Sequence, residues 1–134
     1  MQDYRKLRVW QQSHDLVLAI YRATQTFPPS ERFGLTSQLR RAALSLPTNL
    51  AEGCRRIAPR EYAHFVNIAE GSLSETEYLV VVARDLGYLS PETADKFLAE
   101  ATTLLKMLSA LRKRVQQSIS ASRARDIRGQ TPNS

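Results

Sequence analysis

Two histidines, one cysteine and thirteen Asp or Glu residues are the side chains of this 134-residue protein best suited to acid–base, nucleophilic or metal chemistry. His14 and His64 lie in different segments. Neither is followed at three or four residues by a His, Cys or carboxylate, the spacing that sets two ligands on one helix face. Asp15 adjoins His14, but adjacent helical residues do not face each other. Cys54 precedes Arg55 and Arg56, cations able to lower a thiol pKa. With no base at hand, its expected role is a small core or interface residue. Glu52, Glu70, Glu75 and Glu77 offer carboxylates, but a ferritin-like di-iron bundle needs Glu-x-x-His motifs on two helices and is not expected. Gly34, Gly53, Gly71 and Gly87 are isolated, so no phosphate-cradling loop is read. The expectation is a non-enzyme with no metal and no cofactor.

The basic residues carry a different chemistry. The net charge is +6, with 43% hydrophobic and 24% charged residues, ordinary for one globular domain. A single cysteine excludes a disulfide-stapled fold. Residues 1–8 carry a net +2 and residues 112–134 a net +5, whereas 9–111 carries −1. Basic ends on a neutral body fit attraction to phosphate, on RNA or DNA, although solvation alone would also use them. Arg40, Arg55, Arg56, Arg60, Arg84, Arg112, Lys113 and Arg114 are the candidate phosphate contacts. No aromatics are interleaved with them, so backbone contacts with little sequence reading are expected. No apolar run approaches the roughly 20 residues that span a bilayer, and no signal peptide is read; no membrane role and a cytoplasmic location are expected.

Four helices must position these groups. Apolar residues recur at helical period between Pro28-Pro29, Pro59 and Pro91. The first helix is expected over about 9–27, with Trp10, Val17, Ile20, Tyr21 and Phe27 inward. The second starts near 33–36 on a stripe of Leu35, Leu39, Ala42, Leu46, Leu50 and Ile57. Pro47 lies inside that stripe, and a kink rather than a stop is predicted. The third runs from Pro59 to Leu86-Gly87, where glycine ends a helix. The fourth opens at Ser90-Pro91, with Ser90 as N-cap, and carries a heptad seam of Phe97, Ala101, Leu104, Leu108, Leu111 and Val115. No segment reads as a strand. The architecture is all-α, an antiparallel up-down-up-down four-helix bundle over 1–117, followed by a basic, poorly ordered tail over 118–134.

Two faces exceed what one bundle needs. The third helix has a first seam at Tyr62, Phe65, Ala69, Leu73, Thr76, Val80 and Ala83, and a second at Ile68, Ser72, Glu75, Leu79, Val82 and Leu86. The second fits either deep burial in its own bundle or contact with another subunit. Gly71 costs about 1 kcal/mol in mid-helix and points to a close backbone approach. Gln38, Arg41, Ser45, Asn49 and Glu52 form a polar stripe on the second helix, either solvated or a register-setting network. The candidate oligomer interface therefore comprises Gln38, Arg41, Ser45, Asn49, Glu52, Ile68, Ser72, Glu75 and Leu79.

Certain residue blocks go beyond a generic bundle: Phe33-Gly34-Leu35, Gln38-Leu39-Arg40-Arg41-Ala42-Ala43, Ser45-x-Pro47-x-Asn49-Leu50-Ala51-Glu52-Gly53, Ala69-Glu70-Gly71-Ser72-Leu73-Ser74-Glu75 and Leu86-Gly87-Tyr88-Leu89. Together they resemble the four-helix bundle proteins encoded in 23S rRNA intervening sequences, a family related to the accessory variability determinant of diversity-generating retroelements. The resemblance spans roughly residues 4–116. It implies a homopentameric barrel around a central pore. For the retroelement branch it implies nucleic-acid binding through basic surfaces and support of a partner reverse transcriptase. A protein–protein adaptor without a direct nucleic-acid role is the other reading.

Overall fold

A computed structural model describes residues 2–129. It contains helices α1 (Arg8–Thr24), α2 (Leu35–Cys54), α3 (Pro59–Asp85) and α4 (Pro91–Gly129), and no strand among the described residues. α3 packs between α2 and α4, and α1 closes the square against α2 and α4. Short connections make successive helices antiparallel, so the bundle has two ends. The start of α1, the α2–α3 turn and the emergence of α4 share one end. The α1–α2 and α3–α4 turns share the other.

Each helix buries the face its period dictates. α1 turns Val9, Leu16, Val17 and Ile20 inward. It stops at Thr24, whose hydroxyl donates to the Ile20 carbonyl at 2.8 Å. Phe27 is buried, as its pattern requires, but from the turn, where its ring lies 5.5 Å from Tyr88. α2 runs unbroken through Pro47, on a buried stripe of Leu35, Leu39, Ala42, Ala43, Leu46 and Leu50. It ends at Cys54, one turn short of the expected stripe: Ile57 lies beyond the helix and is 91% exposed. Ile57 shares the spacing but not the helix, because the chain must reverse before Pro59 starts α3.

α3 closes on Gly87, the one positive-φ residue among the described residues, at φ 78°. The Tyr88 amide donates back to the Ala83 carbonyl at 2.8 Å, the left-handed closure that glycine permits without a Cβ clash. The Ser90 hydroxyl then accepts from the Thr93 amide at 3.1 Å and starts α4. α4 buries Ala94, Phe97, Ala101, Leu104, Leu108, Leu111 and Val115. Ile119 is the last half-buried position, but the helix runs on. It continues to Gly129 through the segment expected to lack order, on good helix formers such as Ala121, Arg123, Ala124 and Arg125. Residues 130–134 of the expected tail lie outside the described residues.

The second seam of α3 divides. Ser72 and Leu79 are buried and Val82 is half-buried within the chain, while Ile68, Glu75 and Leu86 face out. Gly71 also faces out, with nothing within 4 Å of where its Cβ would be, so no backbone of this chain approaches it. Close packing is found at Gly53 instead: a Cβ there would meet Phe65 Cβ at 2.9 Å and Tyr62 Cδ1 at 3.1 Å. Gly53 is what lets α2 and α3 converge at their turn.

Candidate nucleic-acid interface

Three segments far apart in sequence meet at one end of the bundle. The backbone of residues 2–7 crosses the end of α2 as a strap. The Gln2 amide donates to the Cys54 carbonyl at 3.1 Å, and the Tyr62 hydroxyl of α3 donates to Gln2 Oε1 at 3.2 Å. Gln2 and Leu7 also line a recess with Arg114 and Ser118 of α4. The Arg55 guanidinium stacks over the Tyr4 ring, 5.5 Å from its centre. This closure sets Arg5, Lys6 and Arg8 at the end of the bundle that also carries Arg55, Arg56 and Arg60, with Lys113 and Arg114 where α4 approaches it. Most of these are exposed because the core beneath them is already filled by Leu7, Leu50, Val66 and Leu111.

The eight candidate phosphate contacts are not equivalent. Lys113, Arg114 and Arg60 are exposed and, among the described residues, have no ion-pair partner. Arg55 is exposed and held by Tyr4. Arg56 pairs with Glu52 at 3.1 Å and lies over the Phe65 ring. Arg112 is turned inward to Glu70 on α3, with Nε to Oε1 at 2.7 Å, and fastens α4 to its neighbour. Arg40 and Arg84 lie at the opposite end. Arg40 donates from Nε to the Thr24 hydroxyl at 2.8 Å and from Nη2 to the Tyr21 carbonyl at 3.2 Å, with its plane over the Tyr21 ring. It caps the C-terminus of α1, where a cation also meets the negative end of the helix dipole. Arg84 pairs with Asp85 at 3.1 Å. Arg40, Arg84 and Arg112 are thus committed to the fold. Arg5, Lys6 and Arg8, absent from the candidate set, belong to the cluster. Arg5 pairs with Asp3 at 3.1 Å, and that hydrogen bond holds the Asp3 carboxyl below its usual range.

Aromatics do accompany the basic residues, contrary to the sequence expectation. Trp10 is half-buried rather than a core residue, and its indole Nε1 donates to the Pro47 carbonyl at 3.2 Å. Tyr4 meets Trp10 edge-on at 4.9 Å. The His14 ring stacks on Trp10 at 5.2 Å with an interplanar angle of 6°. These rings line a groove of about 580 Å³ between α1 and α2, flanked by exposed Leu18 and Leu44 and reaching Arg55 at the strap. The signal available in the sequence was helical spacing: Trp10 and His14 are four residues apart.

The interface candidates also separate. The Ser45 and Ser72 hydroxyls lie 2.7 Å apart across α2 and α3, and Asn49 Nδ2 donates to Ser45 Oγ at 2.9 Å. These polar residues, with buried Leu79, are used within the chain. Gln38, Arg41, Ile68 and Glu75 face outward, and Glu52 is exposed but engaged by Arg56. Gln38, Arg41 and Glu75 border a shallow depression beside Phe33, which is 89% exposed.

Nothing near the thiol prepares it for nucleophilic chemistry. Cys54 is buried, and burial pushes its pKa up despite the flanking arginines, which point to solvent. Its Sγ lies 3.5 Å from the Tyr62 hydroxyl, itself pushed strongly upward by burial. Glu61 and His64 have a Glu-x-x-His spacing, but both are exposed. No group of three or more His, Cys, Asp or Glu able to hold a metal is found among the described residues. None of the helices searched there is long and apolar enough to cross a membrane.

Comparison with known proteins gives two findings. The pattern of the 23S rRNA-intervening sequence protein family matches residues 5–110. A solved structure from Bacteroides thetaiotaomicron, a protein of unknown function from the S23 ribosomal protein family, superposes with a TM-score of 0.73. It is 21% identical, and the match covers 78% of this chain and 98% of that one. No curated protein matches the sequence.

Proposed function

The chain belongs to the 23S rRNA-intervening sequence protein family, and from that premise we propose that it is a non-enzymatic, cytoplasmic bundle that binds nucleic acid along the phosphate backbone through its basic end. The observation that carries this reading is that exposed Arg55 and Arg60 of the α2–α3 turn, Lys6 and Arg8 of the strap and α1, and Lys113 and Arg114 of α4 all lie toward one end of the bundle. Cations gathered on one end create a local field that the same cations, scattered, would not. α4 extends that field outward with Arg123 and Arg125. The test is a salt titration of RNA and DNA binding. Phosphate-driven affinity falls steeply between about 50 and 200 mM salt, and an affinity indifferent to salt overturns the reading. Support of a reverse transcriptase in a diversity-generating retroelement is one setting for such a protein. Its test is co-purification with a reverse transcriptase encoded beside it.

A second reading, self-association and adaptor docking, rests on the outer face of α3. Ile68 and Tyr78 are exposed on the side of α3 that carries Gly71, where a neighbouring backbone would meet no side chain, and Leu86 is exposed at the far end of the helix. Arg41 and Glu75, on opposite sides of the depression beside it, supply complementary charges. The homopentamer implied by the family resemblance is the stoichiometry to seek. A light-scattering mass near the 15.2 kDa of one chain at high concentration rejects it.

A further inference from the structure

We propose that the groove between α1 and α2 holds an unpaired nucleobase, so that the protein prefers single-stranded nucleic acid to duplex. The inference rests on the backbone-binding reading above and names the form of nucleic acid bound.

The groove has the attributes of a base site. The Tyr4, Trp10 and His14 rings form a continuous aromatic wall, with Trp10 fixed by its bond to Pro47 and His14 stacked on it at the solvent side. The outward face of His14 is exposed and offers a platform of the kind on which a base stacks. Leu18 and Leu44 provide apolar rims, and the volume of about 580 Å³ falls in the range of small-ligand sites. Hydrogen-bonding capacity is present: Glu52 reaches the groove with Oε2 engaged by Arg56, and Oε1 remains an acceptor for an exocyclic amino group. Charge complementarity selects the occupant. The groove runs out to Arg55 at the strap, beside Arg5, so a base in the groove would leave its own phosphate on the basic end. A duplex cannot do this without unstacking a base, which adds a cost that a single strand does not carry.

Trp10 is the only tryptophan and reports on the groove directly. The experiment compares a cytidylate 12-mer, a duplex RNA of equal length and inorganic polyphosphate, followed by Trp10 fluorescence and by anisotropy of labelled ligand. The expected result is quenching by the single strand alone. His14→Ala should lower single-strand affinity about tenfold, the scale of one stacked base, the rim-weakening and charge-neutral Leu44→Gln should lower it less, and both should leave polyphosphate affinity within about twofold. Both positions are solvent-facing, and a thermal melt verifies that the variants fold. Equal binding of all three ligands without quenching overturns the base site and leaves the backbone reading standing. Absence of binding by any of them overturns both. Fluorescence that shifts with protein concentration alone shows a second copy in the groove and overturns the base site.

Discussion

The two ends of the bundle are both turns between antiparallel helices, yet the candidate phosphate contacts fare differently at them. At the α1–α2 and α3–α4 end, Arg40 closes the last carbonyls of α1 and Arg84 is held by Asp85, while exposed Arg22 and Arg32 have no ion-pair partner among the described residues. The α2 start nearby is capped by a carboxylate, with the Leu35 amide donating to Glu31 Oε2 at 2.9 Å. At the strap end the first turn of α3 starts at Pro59, whose missing N–H needs no partner, and Lys6, Arg8, Arg60, Lys113 and Arg114 have no acidic partner among the described residues. Arg40 and Arg84 serve the chain at one end, as Arg5, Arg55 and Arg56 do at the other; Arg60, Lys113 and Arg114 are the candidates that have no acidic partner among the described residues. Counting charge by position along the chain misses this, because Arg55 and Arg60 belong to the neutral stretch in sequence and to the basic end in space.

The largest expected effect separates the ends outright. Combined Arg60→Glu, Lys113→Glu and Arg114→Glu should weaken RNA or DNA binding at least about 100-fold near 0.1 M salt, because each reversal removes a phosphate contact and adds a repulsive charge. Arg22→Glu with Arg32→Glu, at the other end, should change it less than about twofold; equal losses would erase the distinction. A smaller effect contrasts the two turn glycines by chemical denaturation. Gly53→Ala forces a Cβ against Phe65 and Tyr62 and should cost about 1–3 kcal/mol. Gly87→Ala meets open space but keeps a positive φ, and should cost about 1 kcal/mol.

The smallest effect is a pH dependence confined to the strap end. Burial raises the pKa values of Cys54 and Tyr62, so both favour the neutral form in the fold. Their contribution is complete below the ordinary thiol and phenol values of about 8.5 and 10, and is lost above them as the unfolded chain ionises first. Thermal stability should hold near neutral pH and decline as pH climbs past about 9. Tyr62→Phe should blunt the upper part of that decline, and a slope unchanged by this variant would place its origin elsewhere.

Much of this architecture was legible because helical period is a local property. The seams of α2 and α4, the glycine stop after α3 and the Ser90 cap all depend on residues within a few turns of one another. What escaped depends on tertiary approach. Ile57 carries the right spacing for α2 but falls in the reversal that brings α3 back. Gly71 drew notice as a mid-helix glycine, whereas Gly53, near a helix end, is the one where Tyr62 and Phe65 press in. Arg40 and Arg112 read as solvent cations until Thr24, Tyr21 and Glu70 are seen to receive them. The aromatic wall was hidden because Tyr4 precedes α1 and reaches Trp10 only when the strap folds across the bundle.

α4 outlasts the layers it packs against. From Ile119, its last half-buried position, to Gly129 it rises about 15 Å at 1.5 Å per residue, carrying cations away from the body like a mast. That reach exceeds the Debye length of about 8 Å at physiological salt, so an approaching polyanion is met before it feels the rest of the surface. Truncation after Gln117 therefore trims the capture radius: the encounter rate falls while the lifetime of the formed complex stays nearly the same.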